Sequence, residues 1–154
     1  MFHANFRILA PFFAILAVLL TPLLATGQAP PALQIYWIDV EGGAATLVVT
    51  PEQESVLMDT GWSRADARDA ERILAAMRHA GVNKIDYLLF SHFHADHVGG
   101  LAALDDRTPI TQIIDHGDSV ERQSESGRLL WEEYLALAGN RRRSIAPGDK
   151  LPFS

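Results

Sequence analysis

Within ten residues, Ser91-His92-Phe93-His94-Ala95-Asp96-His97-Val98-Gly99-Gly100, the chain gathers three imidazoles and a carboxylate. No regular element can aim all four donors at one place. At 100° per residue His92 and His94 face opposite sides of a helix, and on a flat strand His97 is out of phase with them. A tight loop at a strand end can gather them. Ile85 to Phe90 (IDYLLF) supplies an apolar strand leading in, and Gly99-Gly100 lets a helix begin close behind. Chance would produce H-x-H-x-D-H-x-G-G in a chain of this composition about three times in a million. Imidazole and carboxylate donors suit a borderline divalent metal.

The rest of the composition narrows the donor set. There is no cysteine among the 154 residues, so disulfides, thiolate metal sites, iron–sulfur clusters and cysteine nucleophiles are excluded. With 48% hydrophobic and 21% charged residues the chain is too apolar for disorder. A formal charge of −6 offers no general basic surface, so strong nucleic-acid binding is not expected. The length allows one ordinary domain.

The amino terminus carries a different signal. Arg7 is the one charge before Phe12 to Leu20 (FFAILAVLL), and Ala25-Thr26-Gly27 follows with small residues at its outer positions. That order is that of a secretory signal peptide over residues 1–27, which implies a periplasmic or secreted protein. The alternative is an N-terminal membrane anchor, but Pro11, Thr21 and Pro22 interrupt the apolar stretch, so no stable span is expected after cleavage. Removing 27 of 154 residues leaves 127, and losing Arg7 moves the charge from −6 to −7. Residues 28–33 form a short Pro-containing leader into a domain over 34–154.

The domain alternates strand and helix. Leu33–Val40, Ala44–Thr50 and Glu54–Asp59 are β-branched and aromatic runs closed by Gly or Pro signals, the last two pairing as a hairpin. The apolar spacing of Ala70, Ile73, Leu74 and Met77 predicts a helix over Ser63–Ala80, with Ser63 as its N-cap and Gly81 after its end. Ile85–Phe90 is a strand expected to be buried on both faces. A helix over Val98–Leu104, a strand at Ile110–Asp115 and a helix over Gly127–Ala138 follow, and Gly148–Phe153 looks like the start of another strand. The expected class is α/β (α+β), a mixed sheet with helices packed on one face. Trp37 and Trp62 are expected in the core, or lining a pocket. Arg141-Arg142-Arg143 is expected on a solvated face.

The His92–Gly100 segment resembles the metal-binding motif of the metallo-β-lactamase superfamily. Val56-Leu57-Met58-Asp59-Thr60-Gly61 is similar to that superfamily's strand ending in D-T-G. Ile38 to Leu47, with Asp39-Val40-Glu41-Gly42-Gly43-Ala44, is similar to the opening of the hydrolase domain of competence (DNA-uptake) proteins. The resemblance implies the N-terminal half of an αββα sandwich. It implies that His92 and His94 serve one metal and that Asp96 and His97 serve a second. Zn2+ is the expected cofactor, two ions in a complete protein, with Mn2+ or Fe2+ as alternatives, since imidazole rather than carboxylate at position 94 favours zinc. Asp96 would also orient the attacking water or take its proton. Asp59 is expected to orient a ligand histidine, the alternative being a simple turn carboxylate. His116 is a pocket-rim residue or an ordinary loop histidine.

The resemblance also calls for a third histidine, a bridging aspartate and a last histidine. Residues 124–154 contain no histidine and one aspartate, Asp149. The expectation is therefore a domain whose C-terminal half is absent, with weak metal affinity and a tendency to aggregate through an uncovered sheet. The function that follows is an exported metal-dependent hydrolase, or the N-terminal portion of one. Its activated hydroxide would attack an ester, phosphodiester or lactam-type bond in a small-molecule or phosphodiester substrate. The alternative is a non-catalytic metal-binding remnant or scaffold of the same fold. The oligomeric state is not readable from the sequence.

Overall fold

A computed structural model describes residues 31–152. The signal-peptide reading of residues 1–27 lies outside them. Six strands form one mixed sheet in sequence order: β1 Gln34–Trp37, β2 Thr46–Val49, β3 Ser55–Met58, β4 Ile85–Leu89, β5 Ile110–Asp115 and β6 Arg142–Ser144. The first three pair antiparallel, with Leu47 opposite Leu57, so the expected hairpin is present. From β3 onward every pairing is parallel. Helices fill the crossovers: α1 Arg68–Ala80, then α2 Ala95–Val98 and α3 Leu101–Asp105, then α4 Glu125–Ala138. Right-handed crossovers that step in one direction across a sheet deliver their helices to one face. The core lies on that face, where Leu47, Leu57, Leu88 and Ile113 pack with Ile73, Met77, Leu101, Leu104 and Tyr134.

The opposite face is less covered. Ile35, Trp37 and Met58 are exposed, Trp37 to 80%, and Tyr87 and Leu89 are half-buried. This corrects two expectations. Trp37 is not a core residue, and β4 is not buried on both faces, because the helices among the described residues sit on the other side. Trp62 is half-buried, with its indole N–H donating to the Glu41 carbonyl at 3.3 Å.

Other boundaries differ for identifiable reasons. Helix α1 begins at Arg68, not Ser63, because Asp69 is fully buried and accepts the Trp62 N–H at 2.9 Å, which pins the preceding segment as a loop. Its end is as expected: Gly81 adopts φ 77°, and the N–H groups of Gly81 and Val82 return to Arg78 and Met77. The segment over Val98–Leu104 is two short helices parted by Gly99-Gly100. Helix α4 starts two residues early because Ser124 caps it, accepting from Gly127 N at 3.1 Å.

The carboxyl-terminal reading changes most. No strand forms over 148–152; the sixth strand is Arg142–Ser144, inside the basic run expected on a solvated face. Arg141 is held by Asp105, with Nη2 2.8 Å from Oδ2, and Arg142 by Asp115, with Nε 2.6 Å from Oδ2. Two of the three charges are thus structural. Among the described residues, no helix is long and apolar enough to cross a membrane.

Candidate metal centre

Because β3, β4 and β5 run parallel, their carboxyl ends share one edge of the sheet. Asp59 follows β3, Ser91 to His97 follow β4, and Asp115-His116 end β5. Open sheets of this kind build their sites at that edge.

Phe93 explains how His92 and His94 come to share a side. It is buried against Trp131 and Tyr134, with ring centroids 4.6 and 4.8 Å away. Successive residues of an extended segment point to opposite sides, so an inward Phe93 turns both histidines outward. His94 is still extended, with φ −89° and ψ 153°; α2 then starts and lifts Asp96 and His97 beside them. His92 Nε2 lies 3.1 Å from His94 Nδ1, and His97 Nε2 lies 3.5 Å from Asp96 Oδ2. The His92 and His97 rings are in contact, with centroids 3.9 Å apart.

The loop is clamped from below by the segment after β3. Thr60 donates through its N–H and its hydroxyl to the His97 carbonyl, at 2.7 and 2.9 Å. Gly100 N donates to Gly61 O at 3.1 Å, and Ala44 N to Asp96 O at 3.2 Å. These approaches leave no room for side chains: a Cβ on Gly43 would overlap the Asp96 carbonyl oxygen, and one on Gly100 the Thr60 carbonyl oxygen. The glycines of both segments are therefore required by packing.

Asp59 is buried to 2% exposure and sits at φ 61°, a left-handed conformation that Asp tolerates better than most residues. Its carboxylate accepts from Ser91 N at 2.9 Å, Ser91 Oγ at 2.6 Å and His97 Nδ1 at 2.8 Å. With Nδ1 committed to Asp59, the lone pair of neutral His97 is on Nε2, the nitrogen facing Asp96. Burial, then the adjoining His97 and His94 rings, push His92 below the usual histidine value, which favours its neutral ring.

His116 is exposed and packs on Phe93, with centroids 5.4 Å apart, beside a small cavity of about 120 Å3 lined also by Ser91 and Asp115. Glu121 is a neighbour that sequence reasoning missed. It lies on a 3-10 turn, Val120–Gln123, and its Oε1 is 3.4 Å from His94 Nε2. The Ser119 hydroxyl donates to its other oxygen and holds the carboxyl below its ordinary pKa. The available signal was the Ser-x-Glu spacing after a strand end, which reads only as a turn. A groove of about 700 Å3 adjoins His94, lined by Phe93, Val120, Glu121, Leu129, Leu130 and Glu133 among others.

The sequence profile of the metallo-beta-lactamase superfamily matches residues 38–148. The chain belongs to the metallo-beta-lactamase superfamily. It is 30% identical over 113 residues to Recombination protein 2 of Haemophilus influenzae, covering 73% of this chain and 14% of that protein. Its fold is similar to the metallo-beta-lactamase SMB-1, at a TM-score of 0.51 and 20% identity over 78% of this chain and 49% of that one. It is similar also to MEM-A1, a subclass B3 metallo-beta-lactamase from a soil metagenome library, at 0.50 and 21% over 75% of this chain and 44% of that one. The chain thus spans less than half the length of each of these relatives. Metallo-beta-lactamase superfamily membership supports metal-dependent hydrolysis in general terms and establishes the mixed α+β sheet as part of that fold.

The donor spacing can be tested against a metal. Two ligands of one tetrahedral zinc, each at about 2.0–2.2 Å, stand roughly 3.3–3.5 Å apart. The His92–His94 pair, at 3.1 Å, and the Asp96–His97 pair, at 3.5 Å, are each close to that spacing. Beyond the pairs, no group of three or more such side chains among the described residues is gathered to hold one ion. The described residues thus present two donor pairs of metal-ligand chemistry, each short of the three protein ligands of a catalytic zinc.

Proposed function

We propose that the protein is an exported metallo-hydrolase whose zinc centre is begun by the His92–His97 loop. The paired spacing of its donors carries this reading. His92 Nε2 and His94 Nδ1 would hold one Zn2+, and Asp96 Oδ2 and His97 Nε2 a second. Bound there, the metal supplies a hydroxide nucleophile near neutral pH. The protein side of the mechanism is positional. Asp59 keeps His97 in the tautomer that leaves Nε2 free. Asp96 stands where a carboxylate can orient the attacking water or accept its proton. The groove beside His94 would seat the part of the substrate that does not react. His116 would stand at the rim of the site.

The bond class is ester, phosphodiester or lactam. A lining rich in Phe93, Val120, Leu129 and Leu130, with Glu121 and Glu133 the acids among its residues, favours a small substrate over a polynucleotide. The name of the Haemophilus influenzae relative keeps phosphodiesters in the set. Export rests on the signal-like order of residues 1–27. A second reading, a metal-binding scaffold without turnover, is favoured by one observation: two donors per site, where a catalytic zinc takes three protein ligands.

The test is zinc content together with hydrolysis of a bis-phosphodiester, an ester and a β-lactam probe by the full-length protein. Two equivalents of zinc with turnover of any probe supports the hydrolase. Bound zinc with no turnover supports the scaffold, and less than one equivalent removes both.

A further inference from the structure

His94 and His97 use opposite nitrogens. His97 turns Nε2 toward Asp96 and gives Nδ1 to Asp59, whereas His94 turns Nδ1 toward His92 and leaves Nε2 pointing away. The group at that outward nitrogen is Glu121, with Oε1 at 3.4 Å. We propose that Glu121 is a positioning residue for His94, holding the Nε2 edge of the ring so that Nδ1 faces the metal. The proposal rests on the metal-centre reading above and adds a residue to it.

Glu121 is built into place. Its second carboxylate oxygen accepts the Ser119 hydroxyl, and the buried Ser119 oxygen in turn accepts the Glu121 N–H at 3.3 Å. Its carbonyl accepts from Ser124 N and Ser124 Oγ, both at 3.0 Å. The start of α4 presses so close that a Cβ on Gly127 would overlap that carbonyl oxygen. The carboxylate therefore projects from a turn fixed by the helix that also packs on Phe93 through Trp131 and Tyr134. One rigid assembly sets both the inward residue of the His-x-His segment and the outward partner of its second histidine. A carboxylate on the far nitrogen of a metal-binding imidazole fixes the tautomer and raises ligand basicity; losing such a partner costs about 10–100-fold in metal affinity.

The experiment is nitrogen–proton correlation NMR of the imidazoles in the metal-free, full-length protein, followed by Zn2+ titration against a chromophoric chelator. In the wild type, His94 is expected as the Nε2–H tautomer and His97 as the Nδ1–H tautomer. Glu121→Ala should convert His94 to a tautomer mixture, leave His97 unchanged and weaken zinc about 10–100-fold. Glu121→Gln retains an acceptor oxygen and should restore both readings most of the way. Ser119→Ala frees the carboxylate without removing it, and should move the His94 tautomer in the same direction by less. An Nδ1–H tautomer at His94 in the wild type overturns the proposal, as does a His94 signal that neither Glu121→Ala nor Ser119→Ala moves. A wild type that binds no zinc removes the metal centre instead, while the metal-free tautomers still decide the role of Glu121.

Discussion

Asp59 and Asp115 end two strands of the same parallel set, and both are buried to 2% exposure. Each accepts several hydrogen bonds, yet the donors differ in kind. Asp115 is closed by the Tyr134 hydroxyl, Arg142 through Nε and Nη2, the Ser144 hydroxyl at 2.8 Å and Gly117 N at 2.8 Å. Its partner is a cation at every accessible pH, and Arg142 also stacks over Trp131 at 5.2 Å. Asp59 is closed by Ser91 and by His97, a ring that can change its proton and whose other nitrogen faces further donors. The first arrangement has nothing left over; the second leaves a lone pair aimed at the loop. The same group at equivalent strand ends is a staple in one place and an orienting device in the other.

The strongest test of that contrast is Asp115→Ala. It strands the buried Tyr134 hydroxyl and leaves the half-buried Arg142 guanidinium without its carboxylate, a loss toward the lower end of the about 3–5 kcal/mol for breaking a fully buried pair. Urea unfolding should register the loss, with no change in the spectroscopic tautomer of His97. The pH dependence has a definite sign. Burial pulls the Asp115 carboxyl up, but hydrogen bonds from Tyr134, Arg142, Gly117 and Ser144 outweigh it, and the net pKa is lowered. A lowered folded pKa stabilises fully above the unfolded value, near 3.9, and the contribution fades as pH falls through the folded one. Wild-type stability should therefore drop below about pH 4, and Asp115→Ala should flatten that limb.

Next in size is Gly100→Ala, which drives a methyl into the Thr60 carbonyl at the clamp beneath the loop. Overpacking of this kind costs about 1–3 kcal/mol, and since backbone must move, the upper end is expected. Zinc affinity should fall with it, because the clamp carries His97. A variant of full stability would show that the two segments are not locked together.

Asp59→Asn is smaller in stability and larger in consequence for the loop. Asn tolerates φ 61° and can keep an acceptor for Ser91 N, but an amide N–H facing His97 Nδ1 would repel its proton. His97 should switch to the Nε2–H tautomer, and zinc binding should weaken about 10–100-fold. Unchanged zinc affinity would return Asp59 to the status of a simple turn residue.

The sequence made this comparison only half visible. The loop was legible because its chemistry is local: the donors, the apolar strand before them and the glycines after them lie within sixteen residues, from Ile85 to Gly100. Strand β5 was legible for the same reason, as a segment rich in β-branched residues between Pro109 and His116. The Asp115 staple was not, because its partners arrive from α4 and β6, and Arg142 in a basic run looks solvated until Asp115 is seen across the sheet. The late start of α1 depends likewise on buried Asp69, and Glu121 on a turn folded back against α4. What escaped was the pairing of polar and charged groups, which hydrophobic periodicity does not encode.

Two serines give the finest comparison, since each donates one hydroxyl to one of the two carboxylates. Ser144 Oγ donates to Asp115 at 2.8 Å and Ser91 Oγ to Asp59 at 2.6 Å. Either serine-to-alanine change removes one hydrogen bond to a charged acceptor, about 1.5–3 kcal/mol at most. Ser144→Ala should fall at the low end, because Asp115 keeps Arg142, Tyr134 and Gly117 N, and zinc affinity should not move. Ser91→Ala leaves Asp59 with the Ser91 N–H and His97 alone, and Ser91 Oγ also lies 3.0 Å from His92 Nδ1. Its stability cost should be similar, but zinc affinity should fall several-fold through the loosened His92 and His97 rings. Equal zinc affinity in the two variants would erase the distinction between staple and orienting device, because of the two serines it is Ser91 that serves a histidine-bearing carboxylate and lies against His92.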